Sequence, residues 1–471
     1  MNWKLLFLLA LAGGTFALSA CTTGNNDADD DDDAVGDDDD AVGDLPDGLE
    51  CDDTGVDVTG DGQTDVLCVL QGTYTDDLTL TNDAVYLLRG GVFIGDDEGA
   101  TVLTIDAGVT IFGETSTDGM LVVRRNSQLF AMGTADAPIT MTSSKAAGER
   151  ARGDWGGVII NGNAPINACV DDPSGDGVCE AFGEGGTGWY GGDDPADDSG
   201  EIHFLRIQFA GTLVSPDNEL NGLALQAVGS ATDIDHVQVH MNADDGIEFF
   251  GGTANARNLV LTGIGDDNLD WTDGWTGMLQ YLVAQQYDGN GDNGIEADNN
   301  GDNNDLTPRS APMIANVTLV GVPTSDASDT GIVLREGTAG DLINVVAHGW
   351  NDSCLDVDND ATVAEGDAGS LTMEYSLLDC GTNYAADDEE AWTTTWFTDQ
   401  TGNVEGDGST ADLTDPLNID APDFTPVAGG TVATSGGDAS AWDAWFDATD
   451  FMGGVGPDDN WVAGWTAFPA N

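Results

Sequence analysis

DDGIEFF, at Asp244–Phe250, is followed by DDNLDWT at residues 266–272 and by DNGIEAD at residues 292–298. Looser copies begin at Asp329 and Asp352, so that successive copies start 22, 26, 37 and 23 residues apart. A period of about 20 to 30 residues, built from short strands and turns, is typical of a solenoid in which each repeat forms one coil. The repeated phrase therefore predicts the same corner in successive coils.

Apolar runs of four to ten residues separate the copies, and each run ends at Gly, Asn or Asp, as short strands do. Helical periodicity over ten or more residues is absent after residue 20. The sequence therefore predicts an all-β solenoid. The strands of this second series begin near Ile234, Ala256, Met278, Met313 and Leu342.

Stacked coils place equivalent residues directly above one another, about 4.8 Å apart. The apolar residue after each Asp-Asp or Asp-Asn pair is therefore expected to point inward and to form one ladder. The acidic and amide residues before it are expected to bond backbone groups at the turn. The predicted inward ladder consists of Ile247, Leu269, Ile295, Ile332 and Leu355.

The first twenty residues have the features of an export signal, with Lys4 followed by an apolar run too short to span a bilayer. The run ends in Leu18-Ser19-Ala20-Cys21, which resembles the lipobox of bacterial lipoproteins. This resemblance implies that Cys21 is lipidated, that Thr22 favours the outer membrane, and that the protein is displayed at the cell surface. The lipid anchor would make the membrane its first partner.

Seven cysteines are present, and assigning Cys21 to the lipid leaves six. In an oxidising compartment we expect neighbours along the chain to pair, although six cysteines formally allow fifteen connectivities. The expected pairs are Cys51 with Cys68, Cys169 with Cys179, and Cys354 with Cys380.

The formal charge of -75, from 86 acidic and 11 basic residues, excludes nucleic acid as a partner because such a surface repels phosphate backbones. An Asp-rich block at residues 27–47 is expected to be an extended tether. The remaining body is also strongly acidic, which indicates life at high salt, carboxylates that hold divalent cations, or both. Its 40% content of hydrophobic residues still permits a sizeable core.

Calcium is the cofactor that two segments predict, because both alternate oxygen-bearing side chains as calcium loops do. The first is DVTGDGQTD, where Cys68 replaces the acid expected at the last loop position. Its candidate ligands are Asp57, Thr59, Asp61, Gln63 and Asp65. The second lies in DGNGDNGIEADNNGDNND, with candidate ligands Asp288, Asn290, Asp292, Glu296, Asp298, Asn300, Asp302 and Asp305. The alternative for both segments is an acidic loop without a metal ion.

Polar side chains on neighbouring strands suggest a ligand-binding face, and a solvated polar ladder is the alternative. Its candidate residues are Arg206, Gln208, Gln238, His240 and Glu248. No residue is assigned a catalytic role, but an enzyme of this fold would need an acid pair or a basic side chain. The candidate bases are Arg206, Arg257, Arg309 and Arg335. Six Trp after residue 386 are expected to cover the open end of the core, with sugar stacking as the alternative.

The lines RGDWGGVIINGNAPI, GEGGTGWYGGDD and DDGIEFFGGTANARNLVLTG resemble bacterial surface lipoproteins of the right-handed parallel β-helix, or pectin-lyase-like, superfamily. The chain is similar to spirochaetal outer-membrane lipoproteins and to related proteins of marine and gliding bacteria. The resemblance implies a right-handed parallel β-helix with small caps at both ends. The expected regions are a signal peptide (1–20), a lipidated tether (21–47), a Cys-stapled calcium-loop cap (48–75), the β-helix with acidic insertions (76–385) and a Trp-rich C-terminal coil and cap (386–471).

The function that these features favour is a non-enzymatic, calcium-stabilised surface protein that binds a polysaccharide or another surface component. One alternative is a polysaccharide lyase or glycoside hydrolase on the same fold. A second alternative is a purely structural lipoprotein of the envelope.

Overall fold

The computed structural model describes residues 49–55, 57, 64–169, 178–215, 218–409 and 412–468. The first strands along the chain are β1 (Glu50–Asp53), β2 (Val66–Tyr74), β3 (Leu78–Leu80), β4 (Val85–Ile94), β5 (Val102–Ile105), β6 (Thr110–Gly113), β7 (Met120–Val123), β8 (Gln128–Met132), β9 (Ile139–Ser143), β10 (Gly157–Asn161), β11 (Ala181–Phe182) and β12 (Trp189–Tyr190). They are followed by β13 (Gly200–Gln208), β14 (Leu213–Ser215), β15 (Asn218–Glu219), β16 (Leu223–Gln226), β17 (Asp233–His240), β18 (Ile247–Phe250), β19 (Asn255–Thr262), β20 (Leu269–Thr272), β21 (Met278–Gln285) and β22 (Ile295–Ala297).

The remaining strands are β23 (Met313–Val320), β24 (Thr330–Leu334), β25 (Gly340–His348), β26 (Ser353–Val357), β27 (Leu371–Glu374), β28 (Leu377–Asp379), β29 (Val404–Glu405), β30 (Leu413–Asp415) and β31 (Asp423–Pro426). Three short α-helices accompany them: α1 (Asp360–Ala368), α2 (Glu390–Asp399) and α3 (Thr431–Thr434). Within the described ranges, no helix combines the length and apolarity that crossing a bilayer requires.

Parallel pairing between successive coils joins 24 of these strands, and β1 adds to β2 in antiparallel direction, which completes one 25-stranded sheet. The parallel strands form three faces. The first face contains β6, β9, the C-terminal halves of the long strands from β13 to β25, and β28. The second face contains β7, β10, β16, β18, β20, β22, β24 and β26. The third contains β5, β8, the N-terminal halves of the long strands, and β27. The predicted all-β class and right-handed parallel β-helix are confirmed.

The predicted inward ladder is confirmed on the second face, because the backbone register pairs each of its members with the next. Ile247 pairs with Leu269, Leu269 with Ile295, Ile295 with Ile332, and Ile332 with Leu355. All five side chains are buried in the main core. Burying a side chain of this size stabilises the fold by about 1.5–3 kcal/mol.

A left-handed residue bends each long strand where the chain passes from the third face to the first. The register on either side of this residue is continuous, and the residue itself is left unpaired. Asn tolerates such a positive φ better than most residues. We call these residues the corner ladder: Phe204, His236, Asn258, Tyr281, Asn316, Asn344 and Tyr375, with φ between 48° and 68°.

The structure contains all three expected disulfides. Cys51 and Cys68 lie opposite each other on the antiparallel strands β1 and β2. Cys354 and Cys380 join neighbouring coils, as the spacing of 26 residues suggested. Each bond joins elements that are adjacent in the folded protein. It stabilises the fold because it lowers the conformational entropy of the unfolded chain.

Only part of the Trp-rich C-terminal region lies where we expected it. Residues 412–468, which we call the C-terminal segment, pack Phe424, Met452 and Trp465 along the outside of the first face. That face carries apolar residues on its outward side as well, including Val260 and Val283, and they require a cover. The last coils are packed by α2, which lies within the expected cap region and contributes Trp396 and Phe397 to the main core.

The inward ladder gives a direct test of the coil register. Leu269→Ala should lower the free energy of unfolding by about 2–5 kcal/mol, because the side chain is fully buried and leaves a cavity. The matched change Leu213→Ala, at a side chain that is 59% exposed, should alter it by less than about 0.5 kcal/mol. Urea denaturation followed by circular dichroism measures both, and equal losses would contradict the assigned core.

Candidate metal centre

The outward positions of the second face change character partway along the β-helix. In the first coils they are Val122, Ile159 and Ala224, and the β11–β12 hairpin packs on them through Ala181 and Tyr190. In the next coils the same register position is acidic. Glu248 pairs with Asp270, and Asp270 pairs with Glu296. Where the apolar residues stop, stacked carboxylates begin.

The turns before these strands bring further carboxylates to the same place. Four groups of three carboxylates each have ligand atoms that lie within 4.8 Å of one another. Two groups repeat the other two, one coil later, and they share members. We call the whole set the carboxylate ladder: Asp244, Asp245, Glu248, Asp266, Asp267, Asp270, Asp292 and Glu296.

The second acid of each repeated phrase also has the predicted backbone role. Asp245 Oδ1 accepts from the backbone N–H of Asp267 at 3.0 Å, and Asp267 Oδ1 accepts from that of Asn293 at 2.8 Å. Asn293 Oδ1 continues the series by accepting from the N–H of Thr330 at 3.3 Å. These bonds connect neighbouring coils, and they fix one oxygen of each carboxylate.

Burial makes this concentration of charge unfavourable. It raises the pKa of Asp245, Glu248, Asp267 and Asp270 well above the ordinary range, and neighbouring carboxylates raise it further. Among the described residues, Arg335 is the cationic side chain that forms an ion pair with the ladder, through Glu296. The buried carboxylates must therefore take up protons or be neutralised by bound cations.

The carboxyls nearer the solvent show the same effect. Burial, followed by the charge of Asp266, raises the pKa of Asp244 to about 7. Burial raises the pKa of Glu296 to about 7, although Arg335 opposes it, and raises that of Asp292 to about 6. Asp266 is itself exposed, so the ladder opens to solvent at this residue.

The donor set fits a hard divalent cation. Every ladder side chain offers oxygen, which is what Ca²⁺ and Mg²⁺ require. The fully buried Asn221 donates its amide to Glu248, and its Oδ1 has no hydrogen-bond partner. Asp270 Oδ1 is also buried and without one. These oxygens are available to complete a coordination shell.

The predicted second calcium loop is not assembled as one loop. Asp292 and Glu296 belong to the ladder, but their partners come from the preceding coil. Asn300 uses its side chain in a turn, where its Oδ1 accepts from the N–H groups of Asp302 and Asn303. The remaining candidates are dispersed: Asp288, Asn290, Asp302 and Asp305 are exposed, Asp298 pairs with Arg335, and Asp305 pairs with Arg309.

Several predictions fall on residues that the structure does not describe. Thr59, Asp61 and Gln63 of the first calcium loop are outside the described ranges, and only Asp57 and Asp65 of that loop are inside them. Cys21 and the signal peptide also lie outside them. The calcium loop and the lipid anchor stay predictions.

The predicted ligand face is divided between two faces of the β-helix. Arg206 pairs in register with Gln238, and Gln208 pairs with His240, on the first face. Glu248 lies on the second face, in the carboxylate ladder. The C-terminal segment covers the first group, because Gln238 donates to the carbonyl oxygen of Ala467 at 3.0 Å and Gln238 and His240 are buried. These residues therefore form no open face.

The four candidate bases are also dispersed. Arg257 pairs with Asp447 at 3.1 Å, and Arg309 pairs with Asp305 at 3.1 Å. Arg206 lies beside Gln238, and only Arg335 reaches the ladder. The sequence signal for the ladder was the acid at the fifth place of the first three copies of the phrase, because these three residues form one outward column in the fold.

Calcium affinity should show whether the metal site is the carboxylate ladder or the predicted second calcium loop. Asp270→Asn should weaken calcium binding at least about tenfold, because Asp270 belongs to two of the carboxylate groups. Asp302→Asn removes the same charge from an exposed loop residue and should leave affinity unchanged. Titration calorimetry measures both, and the reverse ranking would restore the loop as the site.

Stability without metal should fall as the pH rises. The folded-state pKa values of the ladder exceed those of the unfolded chain, so this contribution is full below about pH 4 and is lost through about pH 6 to 7. In chelator, the unfolding temperature should drop by several degrees between about pH 5 and pH 8. Calcium should reverse most of the drop, and Asp270→Asn should reduce it. An unfolding temperature that rises with pH in chelator would contradict the raised pKa values of the ladder.

Comparison with known proteins agrees with this architecture. No curated protein matches the chain. The crystal structure of the Dettilon tailspike protein is similar at 10% identity and a TM-score of 0.27, over 73% of this chain and 59% of that one, which supports no statement about function. Residues 72–466 match the pectate-lyase-like β-helix domain family. The pectin-lyase-like part of the expected resemblance is confirmed, whereas the similarity to spirochaetal lipoproteins stays a prediction. The chain belongs to the pectate-lyase-like β-helix domain family.

Proposed function

We propose that this protein is a lipid-anchored surface protein that binds acidic polysaccharide through calcium ions held by the carboxylate ladder. The observation that carries the proposal is the set of buried carboxylates that opens to solvent at Asp266. A chain with a formal charge of -75 repels an anionic polymer. Calcium ions on the ladder would remove that repulsion locally and would offer free coordination positions to the polymer's carboxylates.

Calcium suits the ladder better than magnesium does. Ca²⁺ accepts six to eight oxygen ligands in flexible geometry, whereas Mg²⁺ requires near-octahedral geometry and retains its water. The ladder presents many carboxylates on a backbone whose spacing is fixed by coil stacking. A cation that tolerates irregular, shared ligands fits such a set.

One exposed and one half-buried aromatic side chain near the ladder support a sugar ligand. Phe182 is 52% exposed and makes an edge contact with Trp189, at 5.2 Å between ring centroids. Both belong to the β11–β12 hairpin. Glu184, in the same hairpin, lies close enough to raise the pKa of Asp244 and Glu248 through its charge. Aromatic rings at this edge would pack against the apolar faces of sugar rings.

The anchor is the part of the proposal that rests on sequence alone. The lipobox-like segment before Cys21 and the Asp-rich block of residues 27–47 support an outer-membrane lipoprotein with an extended tether. Such a tether would hold the acidic body away from the membrane and within reach of extracellular polymer. The expected partners are thus the membrane, through the lipid, and a polysaccharide.

A polysaccharide lyase or glycoside hydrolase is the second candidate. Asp244 and Glu296 favour it, because carboxyls with a pKa of about 7 are suited to acid and base work near neutral pH. Arg335, the candidate base that reaches the ladder, is held in ion pairs with Glu296 and Asp298. That arrangement favours binding without turnover.

The proposal predicts calcium-dependent retention of polyuronate without cleavage. Immobilised polygalacturonate should retain the protein in calcium and release it in chelator, because the ions bridge two anionic partners. Asp270→Asn should weaken retention about tenfold or more, and Asp302→Asn should not. Release of unsaturated or reducing ends, abolished by Arg335→Gln or Asp244→Asn, would instead establish the enzyme. Equal retention in chelator would reject the calcium bridge.

A further inference from the structure

The C-terminal segment follows the corner ladder closely over two coils. Asn316 Nδ2 donates to the carbonyl oxygen of Phe451 at 3.1 Å, and Asn344 Nδ2 donates to that of Gly437 at 2.8 Å. Asn344 Oδ1 accepts in return from the N–H of Gly437 at 2.7 Å. The amides of these two corner residues are therefore satisfied by the segment's backbone.

Over the preceding coils the segment contacts the corner ladder less closely and leaves a cleft of about 500 Å³. His236, Asn258 and Tyr281, at three successive corner positions, line one wall, and Phe451 and Trp461 line the other. Within the described part of the chain, the Asn258 side chain makes no hydrogen bond, unlike its equivalents Asn316 and Asn344. A cleft of this size accommodates a small ligand.

The rim of the cleft is acidic. Asp447, Asp450, Asp458 and Asp459 line it, and among the described lining residues no Lys or Arg is present. Asp447 is partly neutralised by Arg257, at 3.1 Å, and accepts from the hydroxyl of Tyr281 at 3.4 Å. The other three carboxylates are exposed. The cleft therefore attracts a positively charged ligand.

The carboxylates are not arranged for a metal ion. The groups of described residues with three ligand atoms close enough to share an ion all lie in the carboxylate ladder, and none includes a cleft residue. Carboxylates spread around a wide cleft suit a larger cation. The ring of Trp461, packed edge-on against His236 at 5.8 Å, adds an aromatic surface that attracts organic ammonium groups.

We propose that this cleft binds a protonated amino sugar, with the ammonium group among the rim carboxylates and the hydroxyl groups on Asn258 and Tyr281. The cleft has room for a sugar ring, and Asn258 supplies a donor and an acceptor that the C-terminal segment leaves unused there. This site is separate from the carboxylate ladder and needs no calcium. It would give the protein a second class of sugar ligand.

Titration calorimetry on the full chain in chelator tests the proposal, with glucosamine in its protonated form, N-acetylglucosamine and glucose as probes. Glucosamine should bind, and N-acetylglucosamine should bind at least about tenfold more weakly, because its amide has no charge to pair with the rim. Asp459→Asn and Asn258→Ala should each weaken glucosamine binding about fivefold or more. The matched control Asp302→Asn, outside the cleft, should not change it.

Three outcomes would overturn the proposal: no heat with glucosamine, equal binding of N-acetylglucosamine, or equal affinities in Asp459→Asn and Asp302→Asn. Asp459 is exposed, so its replacement leaves the fold intact. Because the measurement is made in chelator, its failure would leave calcium-dependent polysaccharide binding untouched. Conversely, Asp270→Asn should weaken calcium-dependent retention about tenfold or more and keep glucosamine binding.

Discussion

In-register parallel hydrogen bonding between coils is the constraint on which the rest of this structure depends. It places each side chain directly above its equivalent, about 4.8 Å away, and it leaves no freedom to shift one coil alone. When the stacked residues are Ile247, Leu269 and Ile295, the result is a continuous core. The same stacking acts on every other position of the coil, whether or not it is favourable there.

Acidic positions show the unfavourable side of that constraint. Glu248, Asp270 and Glu296 are brought together by the register that aligns the core, and the turn acids Asp245 and Asp267 join them. Burial and mutual repulsion then raise their pKa values. Stability and ligand binding are coupled here, because a cation that neutralises the ladder stabilises the coils that form it.

The two proposed binding surfaces lie beside the segments that cover outward apolar residues. On the second face, the β11–β12 hairpin covers the apolar positions and ends where the carboxylates begin. On the first face, the C-terminal segment covers Val260, Val283 and Val346 but leaves the side chain of the corner residue Asn258 facing a cleft. Each cover buries outward apolar side chains and ends beside a group of polar side chains.

The sequence by itself determined the coil period, the inward ladder and the three cysteine pairs, because these depend on spacing along the chain and on neighbours within one or two coils. The tertiary structure decided which carboxylates meet. Alternation within one loop grouped Asp292 with Asp288, whereas coil stacking placed it beside Asp266 of the preceding coil. The tertiary structure also buries Gln238, because Ala467, 229 residues away in the sequence, contacts it. Local pattern fixes which side of a strand a residue occupies, but only long-range packing fixes what lies opposite it.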